Sequence, residues 1–360
     1  MSPSRTRGNV VDFRSGAEGI RWTSMPRHPH PWFEQLFGFV EGDWASTQRS
    51  FAVEGVRLRS KVNGRTYGIG AFTTPSLAWL RAQTEGAAPG RLQLRHEVTG
   101  DVLELHARPE NADAVFQVAS QFNCLEFAGP EVVPEDGVTG YAFDPTQGPA
   151  CSLAAAAATV VRNYFVDVGG VPGQTRERQL DNLDELAAML GDRGAYWDVV
   201  NGYTHSDQAR LGRLRAALGG HDREALLGAV KVGLHRDVEV TFATRYAAPS
   251  KPSHVTQVFC SALSCGYSSV GLDDWEPLAT LVLDAAYEAT LRAAVLAGRR
   301  KVWLTLLGGG AFGNRREWIT GAIGRALARM ESVDLEVCVA HYRARNAVLE
   351  AEIDQARARG

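Results

Sequence analysis

The apolar run at 302–307 leads directly into Gly308-Gly309-Gly310-Ala311-Phe312-Gly313-Asn314, and a helical pattern follows from about Glu317. A short apolar run that stops at glycines reads as a buried strand. A buried strand, a glycine turn and a helix start, in that order, point to an α/β arrangement with the turn at a strand's carboxyl end. Glycines let such a turn expose backbone N–H groups and let a ligand come close to the main chain. Beside a helix start, the turn becomes a cradle for phosphate. The segment therefore points to a nucleotide-like ligand.

Elsewhere the apolar pattern switches between strand and helix periods. Strands are expected over 114–119, 239–246, 255–263, 301–307 and 335–340. Helices are expected over 151–161, an alanine-rich stretch after Pro149, and over 180–190, 211–217, 223–227, 275–296 and 318–329. Apolar strands alternating with amphipathic helices imply an α/β fold, with a mixed central sheet covered by helices on both faces. Residues 111–345 are expected to form this core, with a charged helical tail over 346–360. Residues 21–110 read as a β-rich portion, either separate or integrated with the main sheet. Its marks are strands near 50–53 and 56–58, a hairpin turn at Asn63-Gly64, strands near 66–69 and 92–98, and a short helix over 76–82. Residues 1–20 are polar and are expected to be flexible.

Composition excludes several classes. The chain is 45% hydrophobic and 22% charged, enough for a sizeable core, yet no run is long and uncharged enough to span a membrane. A balance of 38 Lys and Arg against 41 Asp and Glu gives −3, with no global pull toward nucleic acid, although a local basic groove stays open. Arg5, Arg7 and Arg14 have no apolar stretch behind them, so the start does not read as a secretory signal. Five cysteines, all in or beside apolar segments, fit a cytoplasmic protein with reduced thiols. Cys260 and Cys265 lack a second pair, so no metal centre is expected.

Three strand ends carry polar chemistry: 119–127, 261–268 and the turn from Gly308. If they converge, they line one cleft at the carboxyl edge of the sheet. Asn123 has a carboxamide suited to a pair of ribose hydroxyls or to capping a turn. Glu126 can orient a hydroxyl or a water, act as a base, or sit as a cap. Phe122 and Phe312 suit ring stacking or core packing. The turn-rich loop 140–152 runs into a helix start, where Thr146 and Ser152 offer hydroxyls to a phosphate. Cys151 lies in that first turn, and it needs His205 or His254 within reach to act as a nucleophile. Lys301, Arg315 and Arg316 flank the glycine turn, and Tyr287 falls on the buried face of the long helix. No Gly-Lys-Ser/Thr follows the glycines, which excludes a Walker-type site. The turn's place near the chain's end argues against a dinucleotide fingerprint.

The segment from Leu304 through Gly308-Gly309-Gly310-Ala311-Phe312-Gly313-Asn314 resembles the phosphate-binding loop of the macrodomain superfamily. It is most similar to the poly(ADP-ribose) glycohydrolase branch, whose loop reads Gly-x-Gly-Ala-Phe-Gly. The resemblance implies a macrodomain-like core that binds ADP-ribose, with the diphosphate on the turn from Gly308 to Asn314. It implies the distal ribose at Asn123 and a second ligand-hugging loop at Thr146, Gln147, Gly148 and Cys151. It further implies hydrolysis of ADP-ribose from modified protein or nucleic acid, without metal or cofactor, and with Glu126 as the acidic group ahead of Glu131 and Asp144. The chain departs from the branch in two ways: the second loop keeps only Gly148, and there is no Glu-Glu pair. The departure keeps a second reading open, a non-catalytic reader or sensor of ADP-ribose or a related nucleotide metabolite. A cysteine hydrolase built on Cys151 and a scaffold with a merely tight turn are two further readings.

Overall fold

The computed structural model of the protein describes residues 31–360 apart from Tyr246. The flexible segment expected over 1–20 lies outside the described residues, as does the last residue of the strand expected over 239–246. Seven strands build the central sheet: β1 (Ala71–Thr73), β2 (Gln93–Thr99), β3 (Val115–Ala119), β4 (Gly233–Glu239), β5 (His254–Cys260), β6 (Lys301–Leu304) and β7 (Glu336–Tyr342). Their order across the sheet is β1-β4-β5-β3-β6-β7-β2. Strands β5, β3, β6, β7 and β2 are mutually parallel, whereas β4 runs antiparallel to both β5 and β1. The sheet is therefore mixed.

Parallel strands need crossovers, and the crossovers cover both faces. The helices that matter for the site are α1 (Val102–His106), α2 (Gln147–Ala154), α3 (Ala156–Tyr164), α4 (Leu272–Leu296), α5 (Arg316–Arg329) and α6 (Ala347–Arg359). Alternate strand residues serve the two faces. Val115, Val302, Leu304 and Val337 pack in one core with the apolar stripes of α4, α5 and α6. Phe116, Trp303 and Cys338 pack on the opposite face with Leu105 of α1 and Ala158 of α3. Because both faces are buried at β3, β5, β6 and β7, these strands read as apolar runs rather than as alternation. Among the described residues, no helix is long and apolar enough to cross a membrane.

The β-rich portion contributes to two sheets. Phe51–Glu54, Arg57–Ser60 and Thr66–Gly68 form a small antiparallel sheet, with the Asn63-Gly64 turn between the last two and Gly64 at φ 74°. Strands β1 and β2 from the same portion form the two edges of the central sheet.

Three elements differ from expectation for reasons that their contacts and backbone make plain. The alanine-rich helix over 151–161 is broken at Ala155 (φ −119°, ψ 58°). Thr241 enters the break: its N–H donates to Ala154 O at 2.7 Å, and its hydroxyl accepts the Ala156 N–H at 2.9 Å. The strand expected over 239–246 lies earlier, as β4. A bulge between His235 and Val238, with Asp237 at φ 57°, breaks its alternation and hides it in the sequence. The helix expected over 180–190 begins only at Asp184, because the backbone of Asn182 is bonded to Phe122 and Lys231.

Candidate functional site

Strands β5, β3 and β6 are adjacent and parallel, so the loops after them leave the sheet at one edge. With the start of α2 these loops enclose a cavity of about 240 Å3. Its wall includes Glu126, Thr146, Gln147 and Gly148, and Gly308, Gly310, Ala311 and Phe312 of the glycine turn. Asn123, Cys151, Gly309, Gly313 and Asn314 stand outside that wall.

The cavity exists because two neighbouring strands part. β6 pairs with β3 only at Val302–Val115 and Trp303–Phe116. Beyond that point the Gln147 carboxamide replaces the missing ladder: its Oε1 accepts the Ala119 N–H at 2.8 Å, and its Nε2 donates to Gln117 O at 2.8 Å. On the other side, the Gln117 side chain accepts the Thr305 N–H at 3.3 Å and donates to Thr290 Oγ1 at 2.9 Å. Two carboxamides thus satisfy backbone groups that the split would otherwise orphan. α2 begins directly at the split, and a Cβ on Gly148 would lie 2.0 Å from Ala119 O. Only glycine lets the helix start so close to the strand end.

The glycine turn is held from behind. Tyr287 of α4 donates to Thr305 O at 2.7 Å and accepts the Leu307 N–H at 2.9 Å, pinning the strand's exit. Gly308 (φ 71°) and Gly313 (φ 67°) take left-handed conformations that a side chain would strain. The Asn314 N–H closes the turn onto Gly308 O, and its carboxamide donates to Leu263 O at 2.7 Å. Gly266 donates to Phe312 O at 2.8 Å, so the loop after β5 supports the same turn. Among the described residues, no acceptor pairs with the N–H groups of Gly308, Gly310, Ala311 and Phe312, nor with those of Gln147 and Gly148 at the start of α2. Replacing Tyr287 with phenylalanine removes both hydroxyl bonds and leaves the Thr305 carbonyl and the Leu307 N–H only the 3.1 Å bond between them. The expected loss is about 1–3 kcal/mol in urea unfolding, and an unchanged midpoint contradicts the pinning role.

Electrostatics at the cavity are asymmetric. Its wall holds no Lys, Arg or His and two carboxylates, Glu126 and Asp144. Asp144 accepts the Thr146 N–H at 2.8 Å. Glu126 is nearly fully buried, and burial pushes its carboxyl up to about 7, against the lowering pull of Arg162. Arg162 of α3 is itself buried; its Nη2 lies 3.3 Å from Glu126 Oε2 and 2.7 Å from Ser152 Oγ. Its guanidinium stacks 3.8 Å from the Phe259 ring centre. Lys301, Arg315 and Arg316 do not reach the wall; Arg315 pairs with Asp273 and Arg316 with Glu352.

The remaining candidates serve the loop itself. Asn123 is fully buried, donating to Gln179 Oε1 at 2.8 Å and accepting the Leu125 N–H at 3.0 Å. Its carboxamide shapes the turn in which Cys124 adopts φ 61°. Cys151 is sealed among Val118, Cys124 and Phe259, and burial pushes its thiol well up. Among the described residues no histidine is hydrogen-bonded to its thiol, and with the thiol's acidity suppressed by burial the geometry gives no support to a thiolate nucleophile. Phe122 packs in the core, whereas Phe312 joins Tyr203 and Tyr267 in an aromatic cluster on the cavity wall, at 5.4 and 5.9 Å between ring centres. Tyr267 belongs to the strand end at 261–268 that the sequence singles out, whereas sequence reasoning missed Gln117 and Arg162, because neither belongs to a local motif.

A second cavity, of about 850 Å3, adjoins the first and shares Thr146, Gln147 and Thr305 with it. Phe116 and Trp303, parallel to within 6°, lie in its wall, and Asp101, Arg245 and Arg343 add charge. Away from both walls, His96, His341 and Glu350 bring possible metal-ligand atoms within 4.8 Å of one another. Hydrogen bonding accounts for this group without an ion. His341 Nδ1 accepts the Asn346 N–H at 3.2 Å, which puts the neutral ring's proton on Nε2, facing His96 Nδ1 at 2.9 Å. That nitrogen has no free lone pair for a metal.

No protein-family model matches the sequence, and no curated protein matches it significantly. Solved structures do match in outline. A poly(ADP-ribose) glycohydrolase from Deinococcus radiodurans in complex with ADP-ribose is 12% identical, with 80% of this chain and 95% of that chain covered and a TM-score of 0.47. A poly(ADP-ribose) glycohydrolase from Thermomonospora curvata is 15% identical, with 86% and 94% covered and a TM-score of 0.41. At these values, ligand and chemistry have to be argued from this chain's own residues.

Proposed function

We propose that the protein binds ADP-ribose and cleaves it from a modified protein or nucleic acid. The carrying observation is the pair of unpaired N–H sets, on the glycine turn and at the start of α2, that meet at one cavity without a cationic side chain. A diphosphate is held there by backbone dipoles. The adjoining cavity, with the exposed rings of Phe143 and Tyr342 in its wall, takes the adenosine, and the combined space suits a ligand with a ring at one end and a diphosphate in the middle.

In this reading the distal ribose lies near Glu126. A carboxyl at about 7 is about half protonated at neutral pH, and its acid form gives the proton to the leaving oxygen at C1″. The oxocarbenium-like centre then takes a water, positioned by Asp144 or by the ligand's own diphosphate, and the water's proton restores the acid form of Glu126. The second reading, a reader without turnover, is favoured by the Arg162 contact that holds Glu126 toward the core. A thermal-shift series with ADP-ribose, ADP, AMP and ribose 5-phosphate tests the binding part. ADP-ribose is expected to stabilise more than any fragment, and equal effects from AMP and ADP-ribose contradict a diphosphate cradle. Release of ADP-ribose from a modified protein separates the enzyme from the reader.

A further inference from the structure

The two cavities differ in charge. The one beside the glycine turn holds two carboxylates and no cation, whereas the larger one holds Arg245 and Arg343 against the single carboxylate Asp101. A diphosphate in the glycine turn has no use for those arginines. Arg245 is only partly engaged: Nε donates to Asp101 at 3.1 Å and Nη1 to Ala142 O at 3.2 Å, leaving Nη2 without a partner among the described residues. Arg343 is exposed and has no ion-pair partner among the described residues; its guanidinium lies over the Tyr342 ring, at 4.8 Å.

The backbone at Arg343 sharpens the point. It sits at φ 64°, a conformation that favours glycine or asparagine, at a cost of about 1 kcal/mol for other residues. Its own N–H donates to Thr99 O at 3.1 Å, and the next N–H, of Ala344, folds back to Tyr342 O at 2.8 Å. A long, exposed cation is thus carried on the cavity wall by a strained turn, and among the described residues it forms no ion pair.

We infer that the larger cavity binds a phosphate carried on the adenosine ribose of the ligand, held by Arg343 together with Nη2 of Arg245. The preferred ligand is then ADP-ribose phosphorylated at its adenosine 2′ or 3′ oxygen, rather than ADP-ribose itself. This inference rests on the ADP-ribose reading above. Two arginines can bracket a phosphate with charge-assisted bonds.

The test is calorimetric titration of the full chain with ADP-ribose, its 2′-phosphate and its 3′-phosphate. One phosphorylated form is expected to bind about tenfold more tightly than ADP-ribose, with the advantage shrinking as salt rises. Arg343→Gly relieves the backbone strain, so it is expected to fold and to bring the phosphorylated forms down to the affinity it shows for ADP-ribose. Arg245→Lys keeps the charge and is expected to keep part of it. Binding of all three ligands with equal affinity, or an advantage that survives Arg343→Gly, overturns the inference and leaves the ADP-ribose reading standing. Binding of none overturns both.

Discussion

Glu126→Gln protein is expected to bind ADP-ribose as the parent does and to release it from modified protein 10²–10⁴-fold more slowly, a loss on the order of that caused by removing a general acid. The amide keeps the shape and an acceptor for Arg162 Nη2, which lies 3.3 Å away, so the change removes the proton and little else. The parent's pH dependence should carry the same signature. With the carboxyl at about 7, turnover falls as pH rises through neutrality, because the acid form is consumed. Stability gives an independent check. The folded carboxyl binds its proton more tightly than the ordinary value of 4.5, so the folded state holds more protons than the unfolded one between those values. Unfolding free energy should therefore fall as pH rises from about 4.5 to about 7, by roughly 1–3 kcal/mol, and the fall should vanish in Glu126→Gln. A parent that releases ADP-ribose while Glu126→Gln does so equally fast removes Glu126 from the chemistry. A parent that binds without release supports the reader.

Gly148→Ala is expected to lose about 3 kcal/mol in urea unfolding and most of its ligand affinity. The added Cβ would meet the Ala119 carbonyl at 2.0 Å and Glu126 Cγ at 3.0 Å. The first neighbour is backbone of a central strand and cannot turn aside, so α2 must back away. Its free N–H groups then leave the cavity, and Gln147 loses its grip on β3. Gly140→Ala is the control from the same loop region, because a Cβ there meets nothing within 4 Å. Equal stability of the two variants would show that α2 is not held against the strand end as described.

These residues also mark where sequence reading succeeds and stops. The glycine turn is legible because its chemistry is local: an apolar run, glycines and a helix start lie within about fifteen residues of one another. The long α4 is legible for the same reason, its stripe recurring over many turns. The partners of the site are not local. Arg162 is one basic residue in a helix, 36 positions from Glu126, and only the fold buries the two together. Gln147 reads as a polar residue in a loop, and its strand-like bonds to Gln117 and Ala119 depend on where β6 leaves β3. Asn123 looks from sequence like a residue offered to a ligand, yet the buried turn uses both ends of its carboxamide. The break at Ala155 comes from Thr241, more than eighty positions away. Local propensity carries the elements; contacts across the chain decide which polar groups are left over to face the cavity.

The cradle itself is tested most directly by calorimetric titration of ADP-ribose into the parent and into Gly310→Glu. Gly310 is exposed, takes no left-handed backbone, and a Cβ there meets nothing within 4 Å, so the variant should fold as the parent does. Its carboxylate would stand beside the unpaired N–H groups where the diphosphate is proposed to sit. The account predicts micromolar binding to the parent, about 1:1, and a loss of at least about a hundredfold in the variant. Equal binding by the two proteins, or none by the parent, contradicts it.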